Sequence, residues 1–244
     1  NNVGGIIGTL YNGTLTGTYT PEFSATNVIV SKIPRPIFPG NINSEKPYRE
    51  NAASVGGIVG YADKSTLRRL FTQLSIYGRS TVGGIIGYAS DTQISDCGVK
   101  TETFNNGNNS AIMVGGIIGQ ASCSSHCEFS NLVNYSDISS GSNYIGGIFG
   151  SMVAGTSVKI NKVVNLAICN KKDMKKILNL GKISATNNVG GIIGKTSGKD
   201  IEVYDAANFG VIQGIAGDKE YGVGGIAGAA EDAITIYKSV NHGN

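Results

Sequence analysis

The densest group of reactive side chains in this sequence is Cys123-Ser-Ser-His126-Cys127. Two thiols and an imidazole this close together suit three chemistries. They could supply part of a zinc site, but a structural zinc takes four ligands, and the fourth would have to be Cys97 or a distant group. They could form a local Cys123–Cys127 disulfide. The spacing permits that if the loop turns back on itself, and it would fit an oxidising, extracellular setting. They could also remain free thiols. Cys97 reads as a small buried residue, because its slot holds Leu132, Ala206 or Ser239 in other parts of the chain.

Other reactive constellations are sparse. There is no G-x-S-x-G nucleophile elbow and no local cysteine-nucleophile signature. The two histidines, His126 and His242, form no H-E-x-x-H zinc motif. Gly-Gly pairs abound, but none carries the Lys-Ser/Thr tail of a phosphate loop. Glycoside hydrolysis needs two carboxylates at a fixed separation. Asp63 and Asp91 follow equivalent glycine-rich stretches and could form a small acidic patch. The tetrad Lys171, Lys172, Lys175 and Lys176 has i,i+4 spacing; it reads as a solvated loop, with an anionic surface glycan as the sharper alternative. No catalytic, metal-binding or cofactor-binding residue is assigned, and the chain is expected not to be an enzyme.

The elements that carry these residues follow a repeat. Val-Gly-Gly-Ile-Ile-Gly at 3–8 recurs with little change from Val55, Val82, Val114, Ile145, Val189 and Val223. Its fourth position is always isoleucine: Ile6, Ile58, Ile85, Ile117, Ile148, Ile192 and Ile226. Self-similarity at roughly 30 residues points to a solenoid, propeller or array, whose units bury their apolar sides only by stacking. The motif is short, β-branched and too glycine-rich for a helix. Read as one strand, it places Val3, Gly5 and Ile7 on one face and Gly4, Ile6 and Gly8 on the other, so both faces are covered. Stacked copies would form an isoleucine ladder, each buried member contributing roughly 1.5–3 kcal/mol.

A second signal follows each motif: an apolar residue, Asn, then an Ile or Val a few residues on. It is clear at Asn134, Asn179 and Asn208, begins again at Asn241, and an extra copy sits at Val164-Asn165. Stacked Asn amides can hydrogen-bond along a column, so Asn134, Asn179, Asn208 and Asn241 are read as a structural ladder. Residues 9–20 read as a hairpin turning at Asn12-Gly13. All five prolines fall between Pro21 and Pro47, which marks 21–51 as an insertion extruded from the stack, with Asn27–Ile33 as an edge strand. A second insertion is expected at 169–177.

The core V-G-G-I-x-G followed by N-x-x-N-x-G-x-V/I, clearest at Asn131-Leu-Val-Asn134 and Asp205-Ala-Ala-Asn208, resembles the GLUG motif. The resemblance covers the chain outside the two insertions. It implies a right-handed β-solenoid of the kind found in bacterial-type surface adhesins and in the non-catalytic region of IgA-specific metallopeptidases, where the repeats act as stalk or display scaffold.

Composition agrees with that reading. The chain has 36 glycines, no tryptophan and 15% charged residues, a turn-dense β mixture. A net charge of +3 with dispersed Lys and Arg is no nucleic-acid footprint, and no apolar run reaches the length of a membrane span. Sequons at Asn12 and Asn108 are candidate glycosylation sites if the source is eukaryotic; one at Asn134 would be too buried.

The expectation is therefore all-β: a single β-solenoid domain over 1–244 of about seven repeats, interrupted at 21–51 and 169–177. It would be a segment of a longer extracellular or cell-surface protein. Its function would be a structural or adhesive scaffold, filament-forming or display-bearing. Partners would be further repeats or other chains at its open ends, and surface glycans on its flank. The alternative is the β-helical part of a secreted enzyme acting on polysaccharide or peptide. Excising a middle unit such as 82–113 should leave a folded, shorter rod.

Overall fold

The structure is a computed structural model that describes residues 2–19, 41–43, 54–73, 75–78, 80–100, 104–105, 113–139, 143–165, 182–185, 188–214 and 222–243. Among these residues the fold is all-β, without a helix. The strands pair in parallel and in register into four stacked sheets. No helix long and apolar enough to cross a membrane occurs among the described residues.

The first sheet has seven strands, from Val3–Gly4 to Val223–Gly224, and the second has seven, from Ile7–Tyr11 to Ala227–Ala230. The third runs from Thr14–Thr16 to Ile234–Tyr237, with the short strands Phe71–Thr72, Ala207–Asn208 and Val240–Asn241 beside it. The fourth runs from Asn41–Asn43 to Val211–Gly214. In the first two sheets, spatial neighbours are strands one passage apart in sequence. Each passage, here called a layer, therefore rests on the one before it.

The V-G-G-I-x-G motif is not one strand. Its valine and first glycine end a strand of the first sheet, its second glycine and isoleucine form a bend, and the next residue opens a strand of the second sheet. The hydrogen bonds give the reason. Successive strand amides point opposite ways, yet Ile58 N and Val59 N both donate to Ile85 O, at 3.0 and 2.9 Å. Two adjacent donors converging on one carbonyl turn the chain through a corner. The same fork links Ile6 to Ile58, Ile85 to Ile117, Ile117 to Ile148, Ile148 to Ile192 and Ile192 to Ile226. The seven isoleucines thus occupy one column, one per layer.

The corner also corrects the assignment of faces. Val55, Val82, Val114, Ile145 and Val189 form one cluster with Ile76 and Ile138. The motif isoleucine and the residue after it, such as Ile85 with Ile86, both enter the main core. That core continues through Leu67, Ile94, Phe129 and Ile160 of the third sheet.

Residues 9–20 make no hairpin. Ile7–Tyr11 and Thr14–Thr16 lie in different sheets, and each pairs in parallel with the next layer. Asn12, at φ 46°, turns the chain between sheets, a left-handed conformation that Asn tolerates. Nor is the 21–51 insertion wholly extruded. Asn41–Asn43 pairs with Ser75–Tyr77 in the fourth sheet. Ahead of the insertion, Tyr19 packs on Phe71 with ring centroids 5.0 Å apart and is buried. The proposed strand Asn27–Ile33, the loop 169–177, Asn108 and Asn179 lie outside the described residues.

Candidate functional site

Four features of the stack hold side chains that could act on something else: the amide column, the cysteine loop, and the outer faces of the third and second sheets.

The amide column sits where the third sheet ends. Val99, Asn134, Asn165, Asn208 and Asn241 occupy one register line. Asn134 Nδ2 donates to Asn165 Oδ1 at 2.9 Å, Asn165 Nδ2 to Asn208 Oδ1 at 2.8 Å, and Asn208 Nδ2 to Asn241 Oδ1 at 2.7 Å. Asn134 and Asn208 also close their own turns: Ser136 N donates to Asn134 Oδ1 at 3.0 Å, and Gly210 N to Asn208 Oδ1 at 3.1 Å. Asn134, Asn165 and Asn208 are buried, so these bonds satisfy groups that would otherwise cost stability. In the fifth layer Asn165 stands in the ladder between Asn134 and Asn208, and Asn179 lies outside the described residues. Burial of Asn134 also removes its sequon from the surface.

The column explains one set of glycines. A Cβ on Gly116, Gly147, Gly191 or Gly225 would strike the side chain of Asn134, Asn165, Asn208 or Asn241 respectively. The second glycine of the motif is the seat on which the amide rests. The first Asn of the N-x-x-N half-unit has a separate task. Arg69, Asp96, Asn131, Lys162, Asp205 and Lys238 share one register line and all have φ between 45° and 56°. They form the left-handed kink that swings the following residues toward the ladder.

In the cysteine loop, Cys123 and Cys127 are joined by a 2.15 Å S–S bond. The two sulfurs bind each other rather than a metal, and no cluster of metal-ligating groups occurs among the described residues. Both cysteines are buried in the main core, while Ser124, Ser125 and His126 are exposed. The loop holds the carboxylate of the preceding layer: Asp91 Oδ1 accepts Ser124 N at 2.6 Å and Ser125 N at 2.8 Å. Partial burial opposes ionisation of Asp91, but the two backbone donors, the Ser125 side chain and Lys64 together outweigh it and lower its pKa. Cys97 lies opposite Leu132 in the core, and burial pushes its thiol up to about 12. Asp63 stands in line with Ser90, not Asp91, so the sequence-predicted acidic pair does not share a column.

The outer face of the third sheet carries a groove of about 400 Å³ lined by Thr16, Arg68, Arg69, Gln93, Asp96 and Glu128, among others. Sequence reading missed it, because its residues come from four layers and only the register brings them together. Within it, Asp96 accepts a 2.8 Å bond from Asn131 Nδ2, and Glu128 is exposed. The same face ends in the stacked rings of Tyr204 and Tyr237, 4.7 Å apart. On the second sheet Tyr61 stacks on Tyr88 at 5.4 Å and meets Tyr11 at 5.8 Å. Asn12 is exposed at its corner.

Comparison of the chain with protein-family models, curated proteins and solved structures gave no match.

Proposed function

We propose that this chain is a segment of a GLUG-type β-solenoid of seven layers, serving as a non-enzymatic structural or adhesive scaffold at a cell surface or in a secreted filament. The observation that carries the reading is the in-register stacking of equivalent residues, isoleucine on isoleucine and amide on amide. Such a stack gains stability from each added layer and is quasi-one-dimensional, which suits a stalk. Its insertions and corners then serve as display positions, and its outer faces as contact surfaces for surface glycans.

The groove on the third sheet favours one other reading, a secreted polysaccharide-acting enzyme. The scaffold is preferred because Asp96 is engaged by Asn131, whereas hydrolysis calls for two carboxylates poised on the sugar.

Excising one layer tests the scaffold. Residues 114–144 form one such layer. Met113 and Tyr144 are register partners, so joining Met113 to Ile145 preserves the column. Small-angle scattering should give a particle shortened by one strand spacing, roughly 5 Å, with unchanged cross-section and β circular dichroism. Global unfolding of the variant would rule out a modular stack.

A further inference from the structure

The second sheet stacks two tyrosines on its outer face. Tyr61 of the strand Val59–Asp63 and Tyr88 of the strand Ile86–Ser90 are direct register partners in neighbouring layers. Their rings lie 17° from parallel, with centroids 5.4 Å apart. Ala62 and Ala89, one residue on, enter the main core, which turns both rings outward. Both tyrosines are partly exposed. The row is short: Thr9 precedes Tyr61 and Gln120 follows Tyr88. Tyr11 meets Tyr61 from the neighbouring row, with its ring tilted at 58°.

This arrangement suits radical coupling. One-electron oxidants draw on the indole of tryptophan, the phenol of tyrosine and free thiols. The chain has no tryptophan. Among the described cysteines, Cys97 is buried and Cys123 and Cys127 are joined. On this face the oxidisable groups are therefore the phenols. A phenoxyl radical carries unpaired spin on the ring carbons beside its oxygen, and two such carbons bond when their rings are in contact. Strand register holds the second ring against the first, and the broad χ2 preference of tyrosine lets the rings swing from stacked to edge-on.

We propose that Tyr61 and Tyr88 form an oxidative cross-linking site, coupled by a haem peroxidase and hydrogen peroxide into a dityrosine that bridges two layers. Each phenol gives up one electron and its proton. The two radicals join through a carbon–carbon bond between the ring positions beside their oxygens. The hydrogen on each bonded carbon then moves to the oxygen of the same ring and restores the phenol. The two electrons and two protons released reduce one hydrogen peroxide to two waters. The link closes the chain between the layers as a disulfide would, but thiol reductants do not open it. It goes beyond the scaffold reading and does not rest on it.

The test treats the full chain, dilute and with its thiols blocked by N-ethylmaleimide, with a haem peroxidase and hydrogen peroxide. The monomer fraction is digested, and linked peptides are quantified by mass spectrometry. Peptides are read rather than total dityrosine fluorescence, because Tyr204 and Tyr237 stack in the same way at 4.7 Å. The proposal expects a Tyr61–Tyr88 linked peptide, lighter than its two parts by two hydrogen atoms and at least tenfold more abundant than in the chain oxidised in urea. Tyr88→Phe should remove that peptide and leave the β circular dichroism unchanged. Absence of the linked peptide, equal yield in urea, or a Tyr11–Tyr61 link in excess of it would each overturn the proposal.

Discussion

Asn165 donates through Nδ2 to Asn208 Oδ1 across 2.8 Å, between side chains that are both buried and lie 43 residues apart in sequence. The bond joins two layers at a point no water reaches, and each amide lies against a glycine of the motif. The stack is therefore held by a polar column as well as by its isoleucines.

Replacing Asn165 with Ala would leave Asn134 Nδ2 without its neighbour's oxygen and Asn208 Oδ1 without its neighbour's donor. Both groups keep the bond inside their own turn, to Ser136 O and from Gly210 N, so at about 0.5–1.5 kcal/mol for each hydrogen bond lost the variant should lose roughly 1–3 kcal/mol. Asn241→Ala, at the exposed end, should cost less than about 1 kcal/mol. Urea unfolding midpoints of the two variants would check the contrast.

Gly147→Ala should destabilise by about 1–3 kcal/mol through overpacking, since its Cβ meets the backbone carbonyl of Gly191 and the Asn165 amide. Gly8→Ala should be nearly neutral: Gly8 is exposed, and the closest atom to its Cβ is Asn2 O at 3.1 Å. Paired thermal melts would show the difference, and equal losses would contradict the close approach of the next layer and its amide at the second glycine.

The Asp91 pKa is lower in the folded chain, so its stabilising contribution is present above the unfolded value, about 3.9. It is lost as pH falls through the lower folded value. Melting temperature should therefore drop on acidification below about pH 4, and Asp91→Asn should flatten that part of the profile. An unchanged acid limb in the variant would show that Asp91 is not the group responsible.

Opening the Cys123–Cys127 link by a double Ser substitution should cost about 2 kcal/mol by the loop-entropy relation for so short a ring. The loss should be coupled to Asp91, whose donors lie inside the ring. A double-mutant cycle with Asp91→Asn measures that coupling. Cys97, buried and with its thiol pushed up to about 12, should resist iodoacetamide in the folded protein at pH 8 and react once urea unfolds it.

Much of this architecture was legible in the chain. Isoleucine at one position in seven motifs pointed to stacking, and the recurring Asn pointed to an amide ladder. The places where reading failed share a cause. Asn12-Gly13 carries the signal of a hairpin turn, but left-handed backbone at Asn12 serves a corner between sheets equally well, and only the partner strand decides which. Asn165 and Asn179 both end a ladder-like phrase in the sequence, and only register with the neighbouring layers puts Asn165 opposite Asn134 and Asn208. The polar groove has no local signature at all.

The sequence by itself determined the period, the residue type at each stacked position and the glycines that allow close approach. These follow from local sterics and from side-chain chemistry that every copy repeats. Tertiary structure decided where the chain bends within each motif, which amide joins the column and which distant side chains share a face. Those outcomes depend on hydrogen bonds to the neighbouring layer, made between residues that are remote along the chain.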